Sequence, residues 1–217
     1  MYQLAILDLD GTLVNSIEDL ANAVNHTLTE MHYPTHPLEA FYHFVGNGVK
    51  KLCERALPAG APAEEAEQLL SRFYAYYEQH CLDCTRPYDG MIPALDSLKA
   101  GGMQLAVATN KPHKFAETIV KHFFGTECFD QILGSNDTRP RKPSPEILLE
   151  IMSACGAAPE ETIMIGDSDV DILTARNAGM DSIGCTWGFR GKTELEQAGA
   201  VYLADSPSDL TEILKNH

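Results

Sequence analysis

Residues 4–13 read Leu-Ala-Ile-Leu-Asp-Leu-Asp-Gly-Thr-Leu, and this stretch decides the fold. Its first four residues form an apolar run, which is typical of a strand buried on both faces of a parallel sheet. Asp8 and Asp10 follow at once, and Gly11 then marks a turn. Because ligands bind where loops leave the carboxyl ends of parallel strands, the stretch predicts a central strand with a polar site at its end.

Short apolar runs recur along the rest of the chain, with helix-like segments between them. This alternation predicts an α/β core, a Rossmann-like doubly wound parallel sheet covered by helices. Helix starts are expected at Ser16, with Asp19 three residues on, at Pro112 and at Ser144–Pro145. The predicted strands are residues 4–7, 105–108, 131–133, 162–165, 182–185 and 201–203.

One segment interrupts the alternation. Between residues 15 and 86 only helical patterns broken by prolines and glycines are found. Its longest predicted helix, residues 63–80, carries Tyr76 and Tyr77 on an apolar stripe, which favours a packed face over a ligand platform. We therefore predict a catalytic core formed by residues 1–14 and 87–217, and an inserted all-helical cap domain at residues 15–86.

The charge balance narrows the range of partners. Asp and Glu total 31 against 16 Lys and Arg, a formal net charge of -15. Such a surface repels nucleic-acid backbones and anionic membranes, so we expect neither as a partner. Six cysteines in a chain that needs no cross-links fit reduced thiols, and the N-terminus does not read as a signal peptide. We expect a cytoplasmic monomer or homodimer.

Polar residues are expected at the ends of four predicted strands. Asp8 and Asp10 follow the first strand, and Asp167 follows the fourth. Two carboxylates two residues apart at the end of a buried strand repel each other unless a cation lies between them. Mg2+ prefers hard oxygen ligands, so Asp8, the backbone carbonyl of Asp10, and Asp167 are the predicted metal ligands.

The same strand ends carry the groups that phosphoryl transfer requires, although each motif alone is also explained as a turn or helix cap. Asp8 is the predicted nucleophile, forming an aspartyl-phosphate, and Asp10 the predicted general acid and base. Asp171, four residues after Asp167 and so on the same helical face, would orient Lys142 or a metal-bound water. The predicted phosphate ligands are Gly11, Thr109, Asn110 and Lys142.

These motifs resemble those of the haloacid dehalogenase superfamily over the whole chain. Its first motif reads here as Asp-x-Asp-Gly-Thr at residues 8–12, its second as Thr109–Asn110, its third as Lys142, and its fourth as Gly166–Asp167 with Asp171. The resemblance implies the roles assigned above and a cap domain in the helical insertion. Dehalogenase members lack an acid two residues after the nucleophile, so Asp10 points to phosphoryl chemistry.

Further stretches resemble the phosphoglycolate phosphatases of that superfamily, among them residues 86–90 and 187–190. The resemblance implies a Mg2+-dependent phosphatase acting on a small phosphorylated metabolite, with 2-phosphoglycolate as the first candidate. In the predicted cap, Asn47 and Gly48 open a helix whose N–H groups, together with Lys50, are candidates to receive a substrate carboxylate. A plain helix cap explains the same residues equally well.

Three alternatives stay open on the sequence. The first is a phosphatase for a sugar phosphate, a nucleotide or pyrophosphate, and the second is a β-phosphoglucomutase-like phosphosugar mutase. Those mutases usually carry a basic residue three positions after the cap glycine, where this chain has Val49 after Gly46. The third is a non-catalytic protein that kept the fold, against which the intact set of polar motifs argues.

Overall fold

The computed structural model describes residues 1–216 of the chain, and within them six strands form one parallel sheet. A further two short strands pair separately. The strands are β1 (Leu4–Leu7), β2 (Val14–Asn15), β3 (Arg86–Pro87), β4 (Gln104–Pro112), β5 (Gln131–Ser135), β6 (Thr162–Gly166), β7 (Asp181–Cys185) and β8 (Tyr202–Ala204). The order in the main sheet is β5-β4-β1-β6-β7-β8, that of a doubly wound fold, and the predicted α/β class is confirmed.

The helices fall into a group that covers the sheet and a group between β2 and β3. The second group comprises α1 (Ile17–Glu30), α2 (Leu38–Phe44), α3 (Val49–Ala56) and α4 (Ala63–His80). The first group comprises α5 (Met91–Ala100), α6 (His113–Phe124), α7 (Glu146–Cys155), α8 (Asp169–Ala178), α9 (Lys192–Ala198) and α10 (Pro207–Asn216). No helix in residues 1–216 is both long enough and apolar enough for a membrane span.

Strand β1 is fixed in the centre of the sheet by packing on both of its faces. Ala5 and Leu7 belong to one apolar cluster, while Leu4 and Ile6 belong to another on the opposite face. All four side chains are fully buried. Burial of a large aliphatic side chain contributes about 1.5–3 kcal/mol, so the end of β1 is one of the most firmly held points in the fold.

Strand β4 runs further than the sequence predicts. It extends to Pro112, with an irregular register relative to β5 between Ala108 and Pro112. Residues 109–111 therefore lie within the irregular last part of a strand rather than in a loop after it. Helix α6 begins directly after Pro112, as predicted, whereas α7 begins at Glu146, just beyond the predicted start.

Helices α1–α4 form their own apolar cluster, which includes Phe41, Leu52 and Phe73. The chain enters and leaves these helices through β2 and β3, which pair antiparallel with Val14 opposite Pro87 and Asn15 opposite Arg86. The sequence predicts the bounds of the helical insertion at these positions but no strand pairing. The division into a core and a cap domain at residues 14/15 and 86/87 stays a prediction.

The predicted capping pair of Ser16 and Asp19 is wrong, although α1 begins directly after Ser16 as expected. The Ser16 side chain makes no capping hydrogen bond. Asp19 is buried and accepts hydrogen bonds from the backbone N–H groups of Cys84 (2.8 Å) and Thr85 (2.8 Å) and from the Thr85 hydroxyl (2.7 Å). These three donors compensate the burial of the carboxylate and connect α1 to the segment before β3.

Replacing Asp19 by alanine leaves three buried donors without an acceptor. We expect Asp19→Ala to lower the free energy of unfolding by about 2–4 kcal/mol, since each unsatisfied buried donor is costly. Urea unfolding followed by circular dichroism measures the change. Glu67→Ala, at an exposed acid of α4, is the control and should stay within about 0.5 kcal/mol of wild type. Equal stabilities of the two variants would contradict the connecting role of Asp19.

Candidate active site

The polar residues predicted from the sequence meet at the carboxyl edge of the sheet. Asp8 follows β1, and Asp167 follows the neighbouring strand β6, at the point where the strand order reverses. The Asp8 backbone N–H still donates to the Ile165 carbonyl (2.9 Å), so the sheet itself fixes the position of Asp8. Crevices at such reversal points are where doubly wound folds bind their ligands.

Lys142 stands at the centre of the site. Its ammonium nitrogen lies 3.0 Å from Asp8 Oδ1, 2.6 Å from Asp171 Oδ1 and 2.8 Å from the Ala108 carbonyl oxygen. Burial alone would lower the pKa of Lys142, but the carboxylates of Asp171 and Asp8 outweigh it and raise the pKa. The side chain is therefore a buried positive charge that donates to Asp171 and Ala108 and forms an ion pair with Asp8.

The backbone of Lys142 is held by Asn110. The Lys142 N–H donates to Asn110 Oδ1 (2.9 Å), and Asn110 Nδ2 donates to the Lys142 carbonyl (3.1 Å) and to the Gly46 carbonyl (3.2 Å). The Asn110 side chain thus positions Lys142 and reaches the loop before α3. The phosphate contact predicted for Asn110 stays a prediction.

Asp8, Asp167 and Asp171 form a buried cluster in which one oxygen of each lies within 4.8 Å of the others. Burial raises the pKa of Asp8 to about 6, with Lys142 opposing the shift and Asp171 and Asp10 adding to it. Burial, followed by repulsion from Asp171 and Asp8, raises the pKa of Asp167 well above its usual range. Despite its proximity to Lys142, Asp8 Oδ1 is buried without a hydrogen-bond donor.

Such a cluster fits a divalent cation. An acceptor oxygen without a donor beside a second buried carboxylate is the environment that a hard metal ion satisfies, and carboxylate oxygens are the ligands Mg2+ prefers. Asp171 is less available, because its Oδ1 accepts from Lys142 and its Oδ2 accepts from the Ser168 backbone N–H (3.1 Å) and hydroxyl (2.7 Å). Asp8 and Asp167 are the two carboxylates left for an ion.

Two details of the sequence prediction change here. Helix α8 begins at Asp169, so Asp167 and Asp171 do not share a helical face, although their carboxylates are neighbours. The N–H of Gly11 donates to the Val14 carbonyl (2.9 Å), so it could contact a phosphate only by giving up that bond. Gly11 is needed instead for its positive φ of 86° and its closeness to Asp167.

Asp167 is seated between two glycines. A Cβ atom at Gly11 would lie 2.3 Å from Asp167 Oδ2, and one at Gly188 would lie 2.2 Å from Asp167 Cβ and 2.5 Å from the Gly11 carbonyl oxygen. The Phe189 N–H donates to Asp167 Oδ2 (2.7 Å) and fixes the carboxylate from the side of Gly188. No larger residue fits at either position without moving Asp167.

The structure adds Lys111 and Tyr77, which sequence reasoning missed. The Lys111 ammonium donates to Asp10 Oδ1 (2.9 Å) and Oδ2 (3.0 Å) and to the Tyr77 hydroxyl (2.8 Å). The Ser16 hydroxyl also donates to Asp10 Oδ1 (2.5 Å). Burial alone would lower the pKa of Lys111, but Asp10 and Tyr77 outweigh it and raise the pKa. A signal for Lys111 existed, since it directly follows the predicted phosphate ligands at a strand end.

A cavity lies between the polar residues at the strand ends and helices α1 and α3. Arg190 stands on its wall, donating from Nη2 to the Val45 carbonyl (2.8 Å), with Nε 3.7 Å from Glu194 Oε1. Thr109 also lines the cavity, and its hydroxyl accepts from the Lys111 N–H (3.2 Å). Other lining residues are Asp8, Asp10, Gly48, Val49, Leu52 and Phe189.

Of the three predicted residues of the α3 loop, only Gly48 lines this cavity. Asn47 Oδ1 accepts from Arg55 Nη2 (2.6 Å) instead. Lys50 is exposed and lines a separate depression with Glu54. The first turn of α3 directs Val49 to the interior and Lys50 outward, so this arrangement gives no support to a substrate contact for Lys50. The positive charge at this wall comes from Arg190.

Comparison with known proteins agrees with this architecture. The model of the family described as haloacid dehalogenase-like hydrolase matches residues 5–185, and the chain belongs to that family. Two relatives, both phosphoglycolate phosphatases, cover nearly the whole chain. The protein from Colwellia psychrerythraea is 37% identical over 98% of this chain and 97% of its own length. The protein from Psychrobacter arcticus is 35% identical over 98% of this chain and 95% of its own length.

The structural comparison gives the same result. The crystal structure of a "predicted phosphoglycolate phosphatase" from Haemophilus somnus superposes with a TM-score of 0.92 at 30% identity, covering 98% of both chains. Within its family, the chain is thus a phosphoric monoester hydrolase that resembles phosphoglycolate phosphatases.

The requirement for glycine beside Asp167 can be tested. We expect Gly188→Ala to lower kcat/KM for p-nitrophenyl phosphate by about 100-fold, the effect of displacing a reacting group by about 1 Å. Steady-state kinetics measures the loss. Gly101→Ala is the control, because Gly101 ends α5 with φ -77° and its nearest neighbour would be 3.2 Å away. Full activity of Gly188→Ala would show that Asp167 does not need its observed position.

Proposed function

We propose that this protein hydrolyses a small phosphate monoester, 2-phosphoglycolate first among candidates, in a Mg2+-dependent reaction through an aspartyl-phosphate on Asp8. The observation that carries the proposal is the buried Asp8 Oδ1, without a hydrogen-bond donor, beside Lys142 and Asp167. A carboxylate that lines the cavity at the reversal point of the sheet, with one oxygen not held by a hydrogen-bond donor, has the position of a nucleophile.

Asp8, Asp167 and the backbone carbonyl of Asp10 would hold the metal ion. When bound, Mg2+ supplies positive charge that stabilises the negative charge on the transferring phosphoryl group. Lys142 supplies a second positive charge from the protein. The Thr109 hydroxyl lies on the cavity wall, where its proton is available to a phosphate oxygen.

The reaction has two balanced steps. In the first, an Asp8 oxygen forms a bond to phosphorus, the ester P–O bond breaks, and Asp10 donates a proton to the departing alkoxide. In the second, Asp10 accepts a proton from water as the water attacks phosphorus. The bond to Asp8 breaks, and inorganic phosphate leaves. Together, the two steps return each aspartate to its starting state.

The covalent step predicts a large loss for Asp8→Asn. The amide keeps the size of the side chain but is a far weaker nucleophile, and loss of a nucleophile costs on the order of a thousandfold or more in kcat. Phosphate release measures activity, and a thermal melt verifies that the variant folds. Asp96→Asn, at an exposed acid of α5, is the control and should match wild type. Turnover retained by Asp8→Asn would exclude the aspartyl-phosphate.

Arg190 supports a substrate with a second anionic group. The Lys111 ammonium has three acceptors already, and the Lys142 ammonium donates to Asp171 and Ala108 and lies beside Asp8. Arg190 donates one N–H to Val45 and directs Nε towards Glu194, and a guanidinium has five N–H groups, so its remaining Nη donors are available to a ligand. A carboxylate at the far end of a short phosphate ester suits such a bidentate donor. The names of the two relatives agree with this substrate class.

A substrate panel with matched arginine variants tests this assignment. Phosphate release is measured from 2-phosphoglycolate, ethyl phosphate, sugar phosphates, nucleotides and pyrophosphate, with Mg2+ and with EDTA. We expect metal-dependent turnover and a preference for 2-phosphoglycolate of a hundredfold, about 2.7 kcal/mol. Arg190→Met should reduce that preference over ethyl phosphate at least tenfold, whereas Arg72→Met, at an exposed arginine of α4, should not.

The panel also separates the alternatives. Broad turnover without preference would keep the phosphatase and discard the substrate. Conversion of one sugar phosphate into its isomer would favour a mutase.

The proposal includes closure by a helical cap of residues 15–86, supported by the separate apolar cluster of α1–α4 and by the contacts of Gly46 with Asn110 and of Val45 with Arg190. It also includes a cytoplasmic location, supported by the acidic composition and free cysteines.

A further inference from the structure

The carboxylate of Asp10 is held from two sides. Lys111 Nζ contacts both of its oxygens, at 2.9 Å and 3.0 Å, and the Ser16 hydroxyl donates to Oδ1. Lys111 is buried, and the Asp10 side chain in their ion pair is only 12% exposed. A pair of this kind fixes its partners in place, since either charge left alone in a buried site is strongly unfavourable.

The third contact of Lys111 comes from a distant part of the chain. Tyr77 of α4 accepts a hydrogen bond from Lys111 at its hydroxyl (2.8 Å), and its ring centroid is 4.9 Å from the ammonium nitrogen. Tyr77 is fully buried and packs edge-to-face against Phe115 of α6, with ring centroids 5.1 Å apart. Helix α6 directly follows β4, the strand that carries Lys111. The packing of α4 against α6 therefore sets the distance from Tyr77 to Lys111.

We propose that Lys111 is a positioning residue that holds the Asp10 carboxylate for proton transfer, and that Tyr77 makes this hold depend on the placement of helix α4. The inference rests on the proposed role of Asp10 as general acid and base. The contact with both oxygens restrains the rotation of the Asp10 carboxylate, and the Tyr77 contact connects that restraint to α4.

The leaving group distinguishes positioning from a merely structural role. An alkoxide leaving group needs a proton from Asp10, whereas p-nitrophenolate is a stable anion that leaves without one. A variant that misplaces Asp10 therefore loses more kcat/KM, which reports the steps up to departure of the leaving group, on 2-phosphoglycolate than on p-nitrophenyl phosphate. The second step, in which Asp10 acts as base, is common to both substrates and enters only kcat. A variant that distorts the site as a whole loses both activities alike.

The experiment compares kcat and KM for both substrates in wild type, Asp10→Asn, Lys111→Met, Lys111→Arg and Tyr77→Phe. We expect Asp10→Asn and Lys111→Met to reduce kcat/KM on 2-phosphoglycolate about 100-fold more than on p-nitrophenyl phosphate, the usual contribution of a general acid. Lys111→Arg should recover part of the loss. Tyr77→Phe, which removes one hydroxyl, should show a smaller selective loss of about fivefold, the weight of one hydrogen bond of about 1 kcal/mol.

Lys114→Met is the matched control. Lys114 is an exposed lysine of α6 that pairs with Glu78 of α4, so it joins the same helices without contacting Asp10. Its two kcat/KM values should match wild type. Equal losses on both substrates in Lys111→Met and Tyr77→Phe, with a selective loss in Asp10→Asn, would overturn the inference alone. A non-selective loss in Asp10→Asn would overturn the proposed role of Asp10 and the inference with it. If Lys111→Met does not fold, Lys111→Arg and Tyr77→Phe decide.

Discussion

The site depends on one buried ammonium group. Lys142 lies against Asp8, Asp171 and the Ala108 carbonyl, and without its charge the carboxylates of Asp8, Asp167 and Asp171 could not lie so close together in a buried position. The surrounding contacts serve this arrangement. Asn110 fixes the backbone of Lys142, and Ser168 fixes the second oxygen of Asp171. The ion pair partly offsets repulsion that the sheet creates when it brings two acidic strand ends side by side.

The sequence predicted the parts of the molecule that local patterns encode. The apolar run of residues 4–7 gives a strand buried on both faces, and the order of polar motifs along successive strands gives a common edge. The side of a helix that a given residue faces was harder to predict. Lys50 and Val49 are adjacent in sequence, but only the structure shows which of them turns to the cavity. Glycine-rich helix starts often bind anions, and that rule pointed to the start of α3. It did not identify Arg190, which supplies the positive charge on the cavity wall.

Contacts between distant segments could not be read from the sequence. Tyr77 lies on an apolar stripe, and the periodicity of α4 correctly predicts its burial but is silent about its hydroxyl. Ser16 has the position of a helix cap, yet Asp10 takes its hydroxyl; Asp19 likewise turns to residues 84 and 85. In each case a side chain with a standard local role is used for a long-range hydrogen bond, because a buried carboxylate needs donors more than a helix end does.

The pairing of β2 with β3 constrains how helices α1–α4 can move. Two independent linkers would let the attached helices twist, swivel and drift, and each closing event would have to select one orientation among many. Two crossings joined side by side, as Val14 with Pro87 and Asn15 with Arg86, form a short ribbon that bends readily in one direction and resists rotation about its length. For the proposed closure of helices α1–α4, such a ribbon would reduce the motion to a tilt about one axis and lower the entropic cost of finding the closed orientation.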